Sequence, residues 1–292
     1  MNIAFIGFGE AARAFRDSLA SADPDLVFSA YDILFDSESM DGPTAAAARA
    51  AGVSPLGSAS EAIAHADWIV SAVTASSSLA AGQSVAPALR PGQVLIDINS
   101  VSPGRKQATA ALIGETGAAY VDMAVMAPVH PRGHRTPVLI AGALPDEFVK
   151  TIDHLGFAFE IVGEGVGAAT AIKMVRSQFV KGLEAITVET FLAASASGCL
   201  DYTMKSLSAS YPGLDLGTLV PYQFERTLKH GIRRSEEMRE SAATVAELGL
   251  HGALGAAIAD IQQKMGALPA DRLADGDLAA ALEDLLALRR GS

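Results

Sequence analysis

Short apolar runs alternate with alanine-rich stretches from Asn2 to about residue 162, and beyond Gly167 the short runs stop. The pattern predicts strands at Asn2–Ile6, Val27–Tyr31, Trp68–Val73, Val94–Ile98, Ala119–Asp122, Val138–Ala141 and Phe157–Ile161. Continuous apolar runs of this length suit strands buried on both faces, and the helical stretches between them suit a parallel sheet covered on both sides. The remainder reads as helices broken at Tyr211-Pro212-Gly213, near Gly249 to Gly255, and at Leu268-Pro269, with a terminal helix in the tail beyond. Gly167 to Ser197 contains no proline and carries Ile172, Val175, Phe179, Leu183 and Ile186 at spacings of three and four, which predicts one long helix with an apolar stripe. The expected architecture is therefore α/β, a doubly wound parallel sheet over residues 1–163 followed by an all-α domain over residues 164–292.

Composition narrows the function classes. A chain of 292 residues allows two domains, and no apolar stretch reaches the roughly 18 residues of a membrane span. The net charge of -11 repels a phosphate backbone, so the basic cluster Lys229, His230, Arg233 and Arg234 reads as a helix face or anion contact, with no nucleic-acid partner expected. A single cysteine, Cys199, excludes an internal disulfide and a cysteine-cluster metal site, fits a reducing cytoplasm and reads as a small buried side chain. The first residues lack a basic leader and include Glu10, so they read as folded structure and not as a secretory signal.

The first strand leads into Gly7-Phe8-Gly9-Glu10-Ala11-Ala12, matching G-x-G-x-x-A, and then into a helical run. Gly7 permits the tight turn, Gly9 lets a pyrophosphate approach the backbone, and Ala12 lets helix and strand pack closely. The helix start offers free N–H groups and a positive dipole end. Asp32 ends the second strand about 20 residues later, where a carboxylate accepts hydrogen bonds from an adenosine ribose. Together these predict a Rossmann-type dinucleotide-binding domain, with NAD preferred because Asp32 repels the extra phosphate of NADP, and NADP possible if nearby residues compensate. Val73, Thr74, Asn99 and Ser100 follow later strands and are expected to face the cofactor or substrate, although ordinary turn chemistry explains such residues nearly as well.

Oxidation of an alcohol needs a group to take the hydroxyl proton. On the long helix Lys173, Ser177 and Glu184 fall on one face, flanked by Arg176 and Lys181, because positions four and eleven apart nearly realign. A solvated charged face is the competing explanation. A lysine in a dry cleft beside other cations loses proton affinity and becomes a base near neutral pH.

These segments resemble the β-hydroxyacid dehydrogenase family, which includes 3-hydroxyisobutyrate, tartronate-semialdehyde and 6-phosphogluconate enzymes. The likeness is carried by the Gly7 to Ala12 turn, by Asp97 to Pro103 (the family's D-x-S-T-x-x-P), by Asp122 to Gly142, and by Gly163-Glu164-Gly165 through Lys173-Met174-Val175-Arg176-Ser177. The resemblance implies that Lys173 is the acid/base for the reacting oxygen, that Ser177, four positions later, helps to hold the substrate, and that the helical domains pair in a homodimer; Asn99 is expected to fix the oxygen with Ser177, and Arg176 or Lys181 to support charge. Three departures bear on the substrate: Met126-Ala127-Pro128 stands where the family has Ser-Gly-Gly, Ser177 where it has asparagine, and the carboxy-terminal part is closer to an uncharacterised branch. The loop Val129-His130-Pro131-Arg132-Gly133-His134-Arg135 brings cations that suit a carboxylate or phosphate, His130 included, or else forms a proline-anchored surface turn. No metal is expected there, since no carboxylate is close in sequence. The reading is hydride transfer between nicotinamide and a small hydroxy acid or polar alcohol, with imine reduction and non-catalytic NAD(H) sensing as alternatives.

Overall fold

The computed structural model describes residues 1–270 and 277–291. It comprises two compact units, Met1–Met174 and Val175–Ser292. The division falls inside one long helix, about three turns past the boundary placed after residue 163, so the first turns of that helix belong to the sheet unit.

The first unit is built on eight strands: β1 (Asn2–Ile6), β2 (Val27–Tyr31), β3 (Val53–Pro55), β4 (Trp68–Ser71), β5 (Val94–Asp97), β6 (Ala119–Val125), β7 (Val138–Ala141) and β8 (Phe159–Gly163). Their order is β3-β2-β1-β4-β5-β6-β7-β8. The central strands β1, β4 and β5 are buried on both faces, as their uninterrupted apolar sequences require. Alternate residues feed two cores: Ile3, Phe5 and Phe28 on one side, Ala4, Ile6, Ile69 and Leu95 on the other. The covering helices are α1 (Glu10–Ala22), α2 (Ile33–Glu38), α3 (Pro43–Ala50), α4 (Ala59–Ile63), α5 (Ser78–Val85), α6 (Pro103–Gly114) and α7 (Asp146–His154).

The sheet is not wholly parallel. β7 runs antiparallel to β6 because a loop and not a crossover helix joins them, and β8 then runs parallel to β7. The β3 strand was absent from the expected set: three residues ending in Pro55 carry no period.

Next comes α8 (Ala168–Ala196), then α9 (Leu200–Ser210), α10 (Leu216–Glu247), α11 (Ala253–Gly266) and α12 (Leu278–Gly291). The tail expected to be helical is helical over α12, while residues 271–276 of it lie outside the described residues. Helices α10 and α11 approach until Gly231 meets the backbone of Gln262 and Gly266, a crossing that leaves no room for a side chain. The core of this unit gathers Val188, Phe191, Phe224, Leu228, Met265 and Leu282. Cys199 is exposed and not buried, because it lies in the turn between α8 and α9 just after Gly198 at φ +66°.

Candidate active site

The turn after β1 has the geometry that its glycines imply. Gly7 sits at φ +84°, and a Cβ there would meet Ala72 O at 2.6 Å, so only glycine fits beside the end of β4. Gly9 is the opposite case: a Cβ would meet nothing within 4 Å. Gly9 is also the N-cap of α1 and offers no side chain to the helix's free N–H groups, which leaves those of Glu10 and Ala11 directed past an exposed, side-chain-free stretch of backbone. Ala12 is wholly buried against the core, as close packing of α1 requires. An exposed glycine before an uncapped thirteen-residue helix fits a pyrophosphate, which would take those N–H groups and the dipole end.

Phe8 lies differently from its neighbours. Its ring is buried against Phe5, with centroids 5.8 Å apart, and its N–H donates to Asp32 Oδ2 at 2.7 Å. Phe8 therefore shapes the turn from within the core and has neither ring nor amide to give a ligand. Asp32 Oδ1 accepts the N–H of Leu34 at 3.0 Å, capping α2. Both carboxylate oxygens retain lone pairs for a ribose hydroxyl. Beside it, the Tyr31 phenol donates to Asp36 at 2.6 Å, and this hydrogen bond, ahead of burial and the charges of Asp36 and Asp32, pushes its pKa up to about 12.

At the ends of β4 and β5 the backbone is held by Asn99, which is buried. Its Oδ1 accepts the N–H of Val73 at 2.7 Å and its Nδ2 donates to Ser71 Oγ at 2.9 Å. Asn99 is thus a strut between strand ends, and Val73 gives its N–H to that strut. Thr74 opens a hydroxyl group of three, with Ser76 Oγ at 3.1 Å and Ser77 Oγ at 3.3 Å. Ser100, half-buried, receives Lys173 Nζ at 2.6 Å. The structure therefore brings Lys173, Ser100 and Asn99 to one place, on the carboxyl edge of the sheet that also carries the Gly7 to Ala12 turn. Met126 packs on Ala124, Ala141 and Ala169 at the first turn of α8.

The rest of the predicted polar face finds partners within the helical unit. Lys181 is buried, donates to Ser177 Oγ at 3.2 Å and pairs with Glu237 at 2.8 Å. Glu184 is bound by Arg234 and by Gln262 Nε2 at 2.8 Å. These partners sit on α10 and α11, so a face that projection shows as one surface has its charges consumed inside the helical unit. Lys181 is a structural ion pair in this fold and not the open cation that spacing suggested, whereas Arg176 is exposed. Two residues of the basic cluster on α10 are also paired, Lys229 with Glu225 and Arg233 with Glu237.

The loop after β6 divides into an anchor and a display. His134 is wholly buried, with Nδ1 at 2.7 Å from Ser18 Oγ and Nε2 at 2.9 Å from Leu155 O. Burial, outweighing the bond to Leu155, lowers its pKa. Gly133, at φ +57°, presses against Ser18 and Ala14 of α1. His130, Arg132 and Arg135 remain exposed. Sequence reasoning missed this anchor, and also a cluster of Asp97, Lys106, Tyr120 and Asp122 under Ser100; its visible signal was an acidic residue embedded in each of two apolar runs.

Residues 2–100 match the family model described as NADP oxidoreductase, coenzyme F420-dependent, and residues 194–265 match a domain of unknown function, DUF1932. A conserved hypothetical protein from Sinorhizobium meliloti is 34% identical, with 99% of this chain and 96% of that chain covered and a TM-score of 0.76. A conserved protein of unknown function, described as structurally similar to 3-hydroxyacid dehydrogenases, is 28% identical over 91% of this chain and 96% of its own, at a TM-score of 0.69. The fold is shared with 3-hydroxyisobutyrate dehydrogenase of Mycobacterium tuberculosis, solved with L-serine, at 22% identity, 97% and 98% coverage and a TM-score of 0.72. The chain belongs to a β-hydroxyacid dehydrogenase-like branch of NAD(P)-binding proteins, one in which the dinucleotide domain is followed by the DUF1932 helical domain.

Proposed function

We propose that the protein is an NAD(P)-dependent oxidoreductase that interconverts the hydroxyl and carbonyl forms of a small hydroxy acid or related polar alcohol, with Lys173 as general acid and base. The observation that carries this reading is the 2.6 Å contact of Lys173 Nζ with Ser100 Oγ, at the same sheet edge as the glycine turn. The dinucleotide, when bound, supplies the hydride acceptor or donor. Gly9 and the first N–H groups of α1 hold its pyrophosphate, and Asp32 its ribose. Lys173 takes the hydroxyl proton onto Nζ as the C–H hydrogen leaves with its electron pair, and returns that proton in the reverse direction. Ser100 orients the amine. Asn99 keeps the strand ends at fixed separation, and its role toward substrate is through Ser100 and Val73. Ser177, Arg176 and His130 are assigned to substrate binding. The carboxylate of Asp32 favours NAD over NADP by repelling a 2′-phosphate.

Titration of folded protein with NADH and NADPH by calorimetry, followed by a panel of hydroxy acids, polar alcohols and cyclic imines, tests this. Binding of neither nucleotide overturns it; turnover of imines alone replaces alcohol chemistry with C=N reduction, and binding with no turnover favours a sensor.

The same reading includes a homodimer. Val175, Phe179 and Ile186 form an exposed apolar line on α8, with Phe179 75% exposed, and a line of this kind on a charged protein marks a face that another surface covers. Sedimentation showing twice the chain mass supports the dimer, and a chain-mass species at micromolar concentration removes it.

A further inference from the structure

Asp97 and Asp122 are register partners on β5 and β6, and both are shut off from solvent, at 1% and 0% exposure. Two carboxylates side by side in a low-dielectric interior repel unless charge and hydrogen bonds answer them. Three sources do so. Lys106 of α6, wholly buried, donates to Asp97 O at 2.5 Å and lies 3.0 Å from Asp97 Oδ1 and 3.5 Å from Asp122 Oδ1. Tyr120 donates its phenol to Asp97 Oδ2 at 2.7 Å; burial first, then the Asp97 carboxylate, push its pKa far up, so it stays a donor. Asp122 Oδ2 accepts the N–H groups of Gly167 and Thr170 at 3.1 and 3.2 Å, so a strand residue caps the first turn of α8. Thr170 Oγ1 closes the bracket by donating to Val101 O at 2.8 Å.

Both ends of the catalytic contact hang from this bracket. Ser100 follows Asp97 by three residues, and Lys173 follows Thr170 by three, which is nearly one helical turn. We propose that Lys106 is a positioning residue for Lys173, its ammonium joining Asp97 and Asp122 so that the end of β5 and the first turn of α8 hold Lys173 Nζ on Ser100 Oγ. Lys106 touches neither substrate nor cofactor in this role, which rests on the reading of Lys173 as the acid/base group. Removing one partner of a buried ion pair is destabilising whatever that partner does for Lys173, so stability is not the readout.

The test is the rate at which the Lys173 amine reacts with trinitrobenzenesulfonate across pH, followed by peptide mass spectrometry without substrate or cofactor. In Lys106→Met the reactivity of Lys173 at pH 8 is expected to change by about threefold or more, roughly half a unit of displacement in its pH curve. Thr170→Val keeps the Asp122 cap and the side-chain volume but loses the bond to Val101, and is expected to move the curve in the same direction by less. An unchanged Lys173 curve in either folded variant overturns the proposal. NADH calorimetry on the same samples separates the two readings: absent binding in the parent protein overturns the oxidoreductase function, while the labelling curves still decide the positioning role.

Discussion

The two halves of α8 carry lysines on one projected face and use them oppositely. In the first turns Lys173 meets the hydroxyl of a strand-end serine, within a frame of buried strands. Two turns later Lys181 meets the Glu237 carboxylate, and Glu184 meets Arg234 and Gln262, within a bundle of helices. A carboxylate fixes an ammonium as a permanent charge by a short charge-assisted bond, whereas a hydroxyl orients an amine in either protonation state. The difference teaches that helical periodicity groups side chains by direction alone. Chemistry follows from which element packs opposite each turn.

The sharpest way to break that comparison is to remove one partner from each half of α8 separately. Lys173→Met is expected to lower turnover by about 10²- to 10⁴-fold with NADH affinity within about threefold of the parent, measured by steady-state kinetics and calorimetry. Equal turnover in the variant would place acid–base work elsewhere. Glu184→Ala leaves Arg234 buried without its carboxylate and is expected to cost about 3–5 kcal/mol in urea unfolding. A loss under about 1 kcal/mol would make that pair as weak as a surface bridge. Gly9→Ala sharpens the other end of the site: with open space for the Cβ, the melting temperature should hold while NADH affinity falls about tenfold. If instead the melt shifts and affinity holds, the exposed turn is structural.

The smallest effect concerns the loop anchor. The lowered pKa of His134 means that the unfolded chain binds this proton more readily than the folded one. Its contribution to stability is full above the unfolded value near 6.5 and declines as pH falls below it. Urea midpoints at about pH 7.5 and about pH 5.5 should therefore draw closer together in His134→Gln than in the parent, and an unaltered difference argues against titration of this ring.

Much of this was legible from residue order. Seven of the eight strands of the first unit, β3 excepted, and the full length of α8 follow from apolar runs and from an unbroken 3.6-residue pattern, both local properties. The glycine turn was legible because its chemistry is also local: strand, bend and helix start lie within a dozen residues. The antiparallel β7 was not, since strand direction depends on how a connection crosses the sheet. Nor was the fate of the apolar stripe: Val175, Phe179 and Ile186 are exposed although their spacing is that of a packed face. Phe8 could not be told from the exposed Gly9 and Glu10 beside it, because only packing shows which way a ring turns.

By itself, then, the sequence determined a doubly wound nucleotide fold, a small-residue bend at its first helix and a lysine on the helix that leaves the sheet, because each rests on periodicity or on short-range sterics. Tertiary structure alone decided that Asp97 and Asp122 would lie side by side over Lys106, and that Lys173 would reach Ser100 while Lys181 was taken by Glu237. Those pairings join residues some 10 to 70 positions apart, and electrostatic partnership depends on distance in space, which residue order does not encode directly.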